Sequence, residues 1–339
     1  MGEKILVGLS GGLDSASAVT LLRERGYEPV GAVLSMHGES DVAGAREVAD
    51  TLGIPLITVD CAGRFEERVI LPFCREYAAG RTPNPCVLCN ERVKFACLAE
   101  TADALGIRPI ATGHYAGIEE RDGRYAVTRA ADPSKDQSYV LWRLPQEILA
   151  RAVFPLEKEK KTVLREAARE RGLSAADKAE SQEICFIPDG DHAAFIEKKL
   201  GRAFPRGEIV DGSGRLLGEH AGIIRYTVGQ RKGIGAYGKP MFVRRIDAEH
   251  NRLILADAAG EAETEFCAGD LVFSGVLPFE GEREFTVKVR YKAPPLPVTV
   301  TLREGRACCR LHAPARAIAP GQSAVFYEGE RLAFGGLID

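Results

Sequence analysis

A doubly wound α/β domain with a parallel sheet, followed by a small strand-rich domain and a C-terminal antiparallel β-barrel, is the architecture this sequence predicts. Three observations predict it. Apolar strand-like runs alternate with amphipathic helical runs from Lys4 to Thr112, the signature of a parallel sheet covered on both faces. From about Gly207 the chain turns to strand and glycine, and from Ala268 short alternating runs such as FTVKVRY and PVTVTLRE are spaced by turn residues, as in a small barrel. At 339 residues the chain also exceeds what one hydrophobic core organises. The expected domains are 1–193, 194–264 and 265–339.

The elements follow in order. KILVGL (4–9) reads as a buried strand and Ser15 to Arg25 as a helix stopped at Gly26. PVGAVLS (29–35) is a second strand; Asp41 to Leu52 is helical, with Gly53 as C-terminal glycine and Pro55 barring continuation. LITVD (56–60) and RPIAT (108–112) are the third and fourth strands, with helices over Arg64–Ala79 and Asn90–Leu105. The prolines of TPNPCVLCN (82–90) predict a non-helical segment there. A hairpin is expected over 116–129 around the turn RDG, and an amphipathic helix over Lys158–Arg171, ended by Gly172.

Composition excludes several classes. Hydrophobic residues at 45% and charged residues at 27% are ordinary for a folded chain and argue against disorder. No apolar run is long enough to span a bilayer, and the start MGEKILVG lacks the basic-then-apolar order of a secretory leader, so a cytoplasmic location is expected. The net charge of −3 argues against indiscriminate nucleic-acid binding. Local charge differs: Ala221–Ile246 holds six basic residues and no acid, and Thr286–Ile318 holds seven basic residues against Glu304 alone. That is the footprint of a surface gripping an RNA backbone, although a solvated strand face can carry the same residues.

The segment Gly8-Leu9-Ser10-Gly11-Gly12-Leu13-Asp14-Ser15 joins the first strand to the first helix. Glycines let the backbone turn tightly toward an anion, and the helix start offers free N–H groups, so the physical reading is a phosphate-binding loop. Neither GxxxxGK[ST] nor GxGxxG fits. Asp14 suits a Mg²⁺ ion that bridges phosphates; a plain strand-to-helix turn capped by Asp14 and Ser15 is the alternative. The string SGGLDS resembles the loop of the ATP pyrophosphatases, which cleave ATP between its α- and β-phosphates and adenylate a substrate oxygen. That resemblance implies ATP with Mg²⁺ at the carboxyl ends of the strands, with Leu34 and Gly113 beside adenine and ribose.

Nine cysteines in a reducing compartment predict mostly buried packing residues with a few reactive ones. Cys86-x-x-Cys89 supplies two ligands where structural zinc needs four. Cys185, in AESQEICFIPDGD, stands alone in sequence. The strings GRTPNPCVLCNERVKF, ATGHYA, SKDQSYVLWRL, ESQEICFIPDGD, GEIVDGSGRLLGEHAG, YTVGQRKGIG, VRYKAPP and ARAIAPGQSAVFY are similar, in order, to the MnmA-type tRNA-specific 2-thiouridylases. The resemblance covers nearly the whole chain. It implies an enzyme that replaces O2 of the wobble uridine of Lys, Glu and Gln tRNAs with sulfur, using ATP and a persulfide supplied by a cysteine desulfurase or a sulfur-relay carrier.

By matching motif, the resemblance assigns Cys185 the persulfide and Cys89 the partner thiol, ending as a Cys89–Cys185 disulfide. Either Cys89 releases hydrosulfide from Cys185, or the persulfide attacks directly and Cys89 resolves the product. It places Asn84, Pro85 and Cys86 near the target base, and His114, Lys135, Asp136, Gln137, Arg290, Tyr291 and Gln322 in contact with tRNA. Many family members carry aspartate where this chain has Cys86. An alternative therefore makes Cys86, Cys89 and Cys185 ligands of a [4Fe–4S] cluster. A further alternative is a non-catalytic RNA-binding protein with a vestigial ATP site.

Overall fold

The computed structural model describes residues 2–177, 184–260 and 262–339, so residues 179–183 of the AESQEICF string lie outside the described residues. Its strands are β1 (Lys4–Gly8), β2 (Glu28–Ser35), β3 (Leu56–Asp60), β4 (Ile110–Ala111), β5 (Ala116–Arg121), β6 (Arg124–Arg129) and β7 (Ala152–Val153) in the first domain. The order β3-β2-β1-β4-β7 makes one parallel sheet. The chain moves outward from β1 on one side and then returns to its other side, so the crevice between β1 and β4 is the switch point where α/β sheets bind ligands. Strands β1 and β2 carry the buried residues Ile5, Leu6, Val7, Ala32 and Val33, as the apolar runs predict.

Helices pack on both faces. Helix α1 (Leu13–Glu24) follows β1, and α2 (Glu39–Leu52) ends at Gly53 in the left-handed conformation. The expected helix over Arg64–Ala79 forms as α-helical pieces around a π turn, Glu66–Ile70. The expectation of a non-helical TPNPC segment is corrected: Pro85–Cys89 is helical. Asn84 caps it, its Oδ1 accepting from the Cys86 N–H at 3.1 Å, and Pro85 occupies the first turn, where a missing N–H costs nothing. The helix runs on through a π turn at Asn90–Lys94 into Phe95–Ala104.

The middle domain is a sheet ordered β10 (Phe242–Asp247), β11 (Arg252–Ala256), β8 (Gly207–Asp211), β9 (Leu216–His220). The expected boundary after Ala193 falls inside the helix His192–Leu200, which Asp191 caps. The last strands are β12 (Glu263–Phe273), β13 (Glu282–Lys288), β14 (Leu296–Arg303), β15 (Arg306–Ala315), β16 (Ser323–Glu328) and β17 (Arg331–Ile338). The boundary expected at 264/265 falls just inside β12. Pairing runs β12-β15-β14-β13-β16-β17 and closes through β12–β17 into a six-stranded barrel. The predicted hairpin β5–β6 exists, and β6 also pairs with β17, joining the first domain to the barrel.

Candidate active site

The phosphate loop sits at the switch point. Ser10 donates its backbone N–H to Ser15 Oγ at 3.2 Å, and Ser15 Oγ donates to the Gly12 carbonyl at 3.0 Å, so the loop is folded on its own helix. Gly11 has φ +74°, and a Cβ there would lie 2.4 Å from the Gly44 carbonyl carbon of α2. Only glycine meets both conditions. Gly12 is the α1 N-cap residue, leaving the first N–H groups of the helix open to an anion, while Leu13 packs into the core.

Asp14 is held from two sides. Its Oδ1 accepts from the Tyr115 hydroxyl at 2.9 Å and its Oδ2 from Lys161 Nζ at 2.8 Å. Neither residue is legible in the sequence as a partner, because Tyr115 and Lys161 lie 101 and 147 positions away from Asp14. The carboxylate keeps lone pairs for a hard cation, which takes further oxygens from phosphates and water; the donor set fits Mg²⁺ on those terms.

A cavity of about 360 Å³ opens here. Gly8, Leu9, Ser10, Asp14 and Ser15 line it from the loop, Leu34, Met36 and His37 from the end of β2, and Thr112, Gly113 and His114 from the end of β4. Gly113 packs against the loop so closely that a Cβ would lie 2.7 Å from the Asp14 carbonyl carbon. His114 bonds Thr112 Oγ1 through Nδ1 at 2.8 Å and stacks on Phe95. Burial, then the charge of Lys94, pushes its pKa down to about 3, so the imidazole is neutral at physiological pH.

Cys185 and Lys94 line the same cavity. Cys185 and Cys86 are exposed; Cys89 is buried, 6% accessible. Burial pushes the Cys89 thiol up to about 12; Lys94 pulls it down, while Cys86, Cys185 and Cys97 add to the rise. The three cysteines are thus brought within electrostatic reach of one lysine, which sequence reasoning missed although it stands in the same motif. Among the described residues no group of three Cys, His, Asp or Glu side chains stands together as a metal site.

The residues expected at tRNA separate. Gln137 lines the cavity and accepts the Tyr115 N–H at 2.9 Å. Asp136 turns inward instead: it is 6% exposed, and its carboxylate accepts from Ala130 N–H, Ser138 N–H and Ser138 Oγ, which shapes the loop that carries Lys135. Pro85 is buried, whereas the adjacent Cys86 is exposed. Gln322 Nε2 donates to the Thr82 carbonyl at 2.7 Å, and Thr82 N–H donates to the Pro320 carbonyl at 2.8 Å, so the barrel holds the entry to the cysteine helix. Tyr291 packs on Tyr139 with centroids 5.9 Å apart; burial, then Asp136 and Cys86, raise its pKa, which puts the ring near Cys86. Arg290 donates to the Val228 carbonyl of the middle domain.

Three family models match the chain consecutively: a tRNA methyl transferase HUP domain over residues 3–189, a tRNA methyl transferase PRC-barrel domain over 193–257, and an aminomethyltransferase beta-barrel domain over 263–338. The chain is 40% identical over 355 residues to tRNA-specific 2-thiouridylase MnmA 2 of Clostridium botulinum strain Okra, covering 100% of both. It is 42% identical over 353 residues to tRNA-specific 2-thiouridylase MnmA of C. botulinum strain Alaska E43, covering 99% of this chain and 98% of that one. Among solved structures, a 4-thiouridine synthetase–RNA complex with bound ATP matches at 17% identity and TM-score 0.36, over 59% of this chain and 50% of that one. With full-length relatives at this identity, the chain belongs to the MnmA family of tRNA-specific 2-thiouridylases.

Proposed function

We propose that this protein is an ATP-dependent tRNA-uridine 2-sulfurtransferase acting on the wobble uridine of Lys, Glu and Gln tRNAs. One observation carries the reading: Cys185 and the phosphate loop line a single cavity, so a sulfur carrier and the nucleotide's phosphates share one chamber. The C2 carbonyl of uracil is urea-like and has no usable leaving group. Attack of O2 on the α-phosphorus of ATP breaks the bond to the β-phosphate, releases pyrophosphate and leaves an AMP ester at C2. The helix α1 N-terminus and Ser10 would receive the phosphates, Asp14 would hold a Mg²⁺ that offsets their charge, and Lys161 and Tyr115 orient Asp14.

The burial of Cys89 favours direct attack by the persulfide over release of hydrosulfide by Cys89. A thiol held protonated is a poor first nucleophile, whereas Cys185 is exposed at the cavity. The terminal sulfur of a Cys185 persulfide attacks C2 and AMP leaves, giving a disulfide between Cys185 and the base. Cys89, losing its proton to solvent, then attacks the Cys185 sulfur. The 2-thiouridine leaves as thiolate and a Cys89–Cys185 disulfide remains, to be reduced by an external dithiol. The persulfide comes from a cysteine desulfurase or sulfur-relay protein. Contacts with tRNA fall to Asn84, Pro85, Cys86, His114, Lys135, Gln137, Arg290, Tyr291 and Gln322, with Asp136 shaping the loop.

Incubation with ATP, Mg²⁺, tRNA and a persulfide donor, followed by nucleoside mass spectrometry, is expected to yield 2-thiouridine, and Cys185→Ser none. Cys89→Ser is expected to accumulate tRNA linked to Cys185 through a reducible bond. If Cys185→Ser still thiolates tRNA, the reading is wrong.

A further inference from the structure

The π turn after Cys89 places a positive charge on the cysteine face of the helix. In a regular α-helix, at about 100° per residue, a side chain five positions on points roughly 140° away. The segment Asn90–Lys94 is instead a π turn, whose i→i+5 pairing brings residue 94 back beneath residue 89. Cys86 and Cys89, three apart in the preceding turn, share that face.

Lys94 ends at the cavity wall and is the one lysine or arginine among the described residues that line it. It forms no ion pair with a described carboxylate within 4.0 Å, unlike Lys161, which Asp14 holds. Burial opposes its charge; Cys89, then Cys86 and Cys185, support it, and the balance lies above the ordinary lysine value. A thiolate formed at any of these cysteines therefore favours the charged lysine, and the charged lysine in turn favours the thiolate.

We propose that Lys94 is a catalytic residue for sulfur transfer: its ammonium is the counter-ion of the thiolate and persulfide anions formed at Cys185 and Cys89. The assignment rests on the persulfide reading above. A persulfide anion entering a partly closed cavity loses hydration, and a fixed cation replaces it. The charge of the persulfide leaves with AMP; Cys89 then loses its proton, and as its thiolate attacks the Cys185 sulfur the charge passes to the departing 2-thiouridine, so one ammonium serves each sulfur anion in turn. Burial, and then Lys94, keep His114 neutral, so the imidazole is not a second cation in the cavity.

The test compares Lys94→Met and Lys94→Arg with the wild-type chain. Iodoacetamide alkylation of Cys185 and Cys86 at neutral pH, followed by peptide mass spectrometry, reads the anion directly. Lys94→Met is expected to slow it about tenfold, as for loss of one nearby opposite charge, while Lys94→Arg stays near wild type. Thermal melting reports folding of both variants, and tRNA-dependent pyrophosphate release is measured beside the alkylation. Formation of 2-thiouridine should fall in Lys94→Met, with the rising limb of its pH profile moved to higher pH. Unchanged alkylation in Lys94→Met overturns the proposal, and loss of pyrophosphate release with unchanged alkylation assigns the lysine to ATP instead. If Cys185→Ser thiolates tRNA, the persulfide reading itself falls and takes this role with it.

Discussion

Gly113→Ala is the sharpest probe of the nucleotide site, because the added methyl meets backbone. Its Cβ would stand 2.7 Å from the Asp14 carbonyl carbon and 2.8 Å from both the Asp14 oxygen and the Ser15 nitrogen. Ordinary contact begins near 3.4 Å, so the strand end and the phosphate loop must separate by about 0.7 Å. Neither side has a flexible tip to yield. Forced insertions of this kind cost about 1–3 kcal/mol of stability. The moved atoms are the first turn of α1, which carries Asp14 and the N–H groups aimed at phosphate. Displacements near 1 Å in a reacting constellation cost up to about 10²-fold in rate. Gly113→Ala is therefore expected to lose about 10–100-fold in kcat/KM for tRNA-dependent pyrophosphate release while remaining folded. Malachite-green detection of pyrophosphate after pyrophosphatase treatment, with thermal melting as control, measures both. Wild-type pyrophosphate release by a folded Gly113→Ala protein would refute the assignment of this crevice to ATP.

Three other outcomes are expected. Tyr115→Phe and Lys161→Met each remove one donor from Asp14, and pyrophosphate release should fall by roughly tenfold for the tyrosine and more for the lysine; equal, unchanged rates would show that Asp14 needs no support. His114 is neutral in the folded protein down to about pH 3, whereas the unfolded chain takes a proton near 6.5, so folding stability falls as pH drops through that window, by at most about 1.4 kcal/mol per pH unit. His114→Phe should flatten that acid limb in urea titrations, and an unaltered slope would contradict it. Gln322→Leu removes the 2.7 Å hydrogen bond to the Thr82 carbonyl and is expected to lower 2-thiouridine formation several-fold at unchanged ATP affinity; a loss of ATP binding measured by calorimetry would place its role elsewhere.

The sheet was legible because fully buried parallel strands must be written as apolar runs, and KILVGL, PVGAVLS and LITVD leave little choice. β4 shrinks to Ile110–Ala111 and β7 is only Ala152–Val153, too short for any periodic signal. The cysteine helix was misread for a local reason: proline breaks a helix interior but begins one well, and the distinction depends on Asn84 reaching the Cys86 N–H. The Asp14 partners arise from tertiary contact and leave no spacing to read. Charge was half legible. Of the basic residues counted in the two positive segments, Arg225, Lys239, Arg244, Arg306 and Arg310 meet acids outside those segments. Arg231, Lys232, Arg245, Lys292, Arg303 and Arg316 stay exposed, where basic side chains suit a phosphate backbone.

The placement of the barrel bears on how these parts act together. A domain that merely tethered RNA could attach anywhere on the catalytic domain, yet this one attaches to the backbone leading into the cysteine helix. Pro320 and Gln322 hold Thr82 from both its N–H and its carbonyl. Beside them, Tyr139 and Trp142 donate to Ser323 at 2.9 Å each, and Gly335 lies so close to the Trp142 ring that a Cβ would stand 2.5 Å from it. Lys288 lies about as far from the ring of Tyr139 as from that of Tyr291, at 6.0 and 5.8 Å, on the path from the barrel to Cys86. Arg143, 7% exposed, joins Glu91 of the π turn at 2.8 Å to Asp270 of β12 at 2.6 Å. The helix that carries Cys86, Cys89 and Lys94 is therefore fixed at its start and along its π turn by the barrel. RNA seated against that barrel would meet a cysteine face already set, so the geometry of sulfur delivery does not have to be assembled when the substrate arrives.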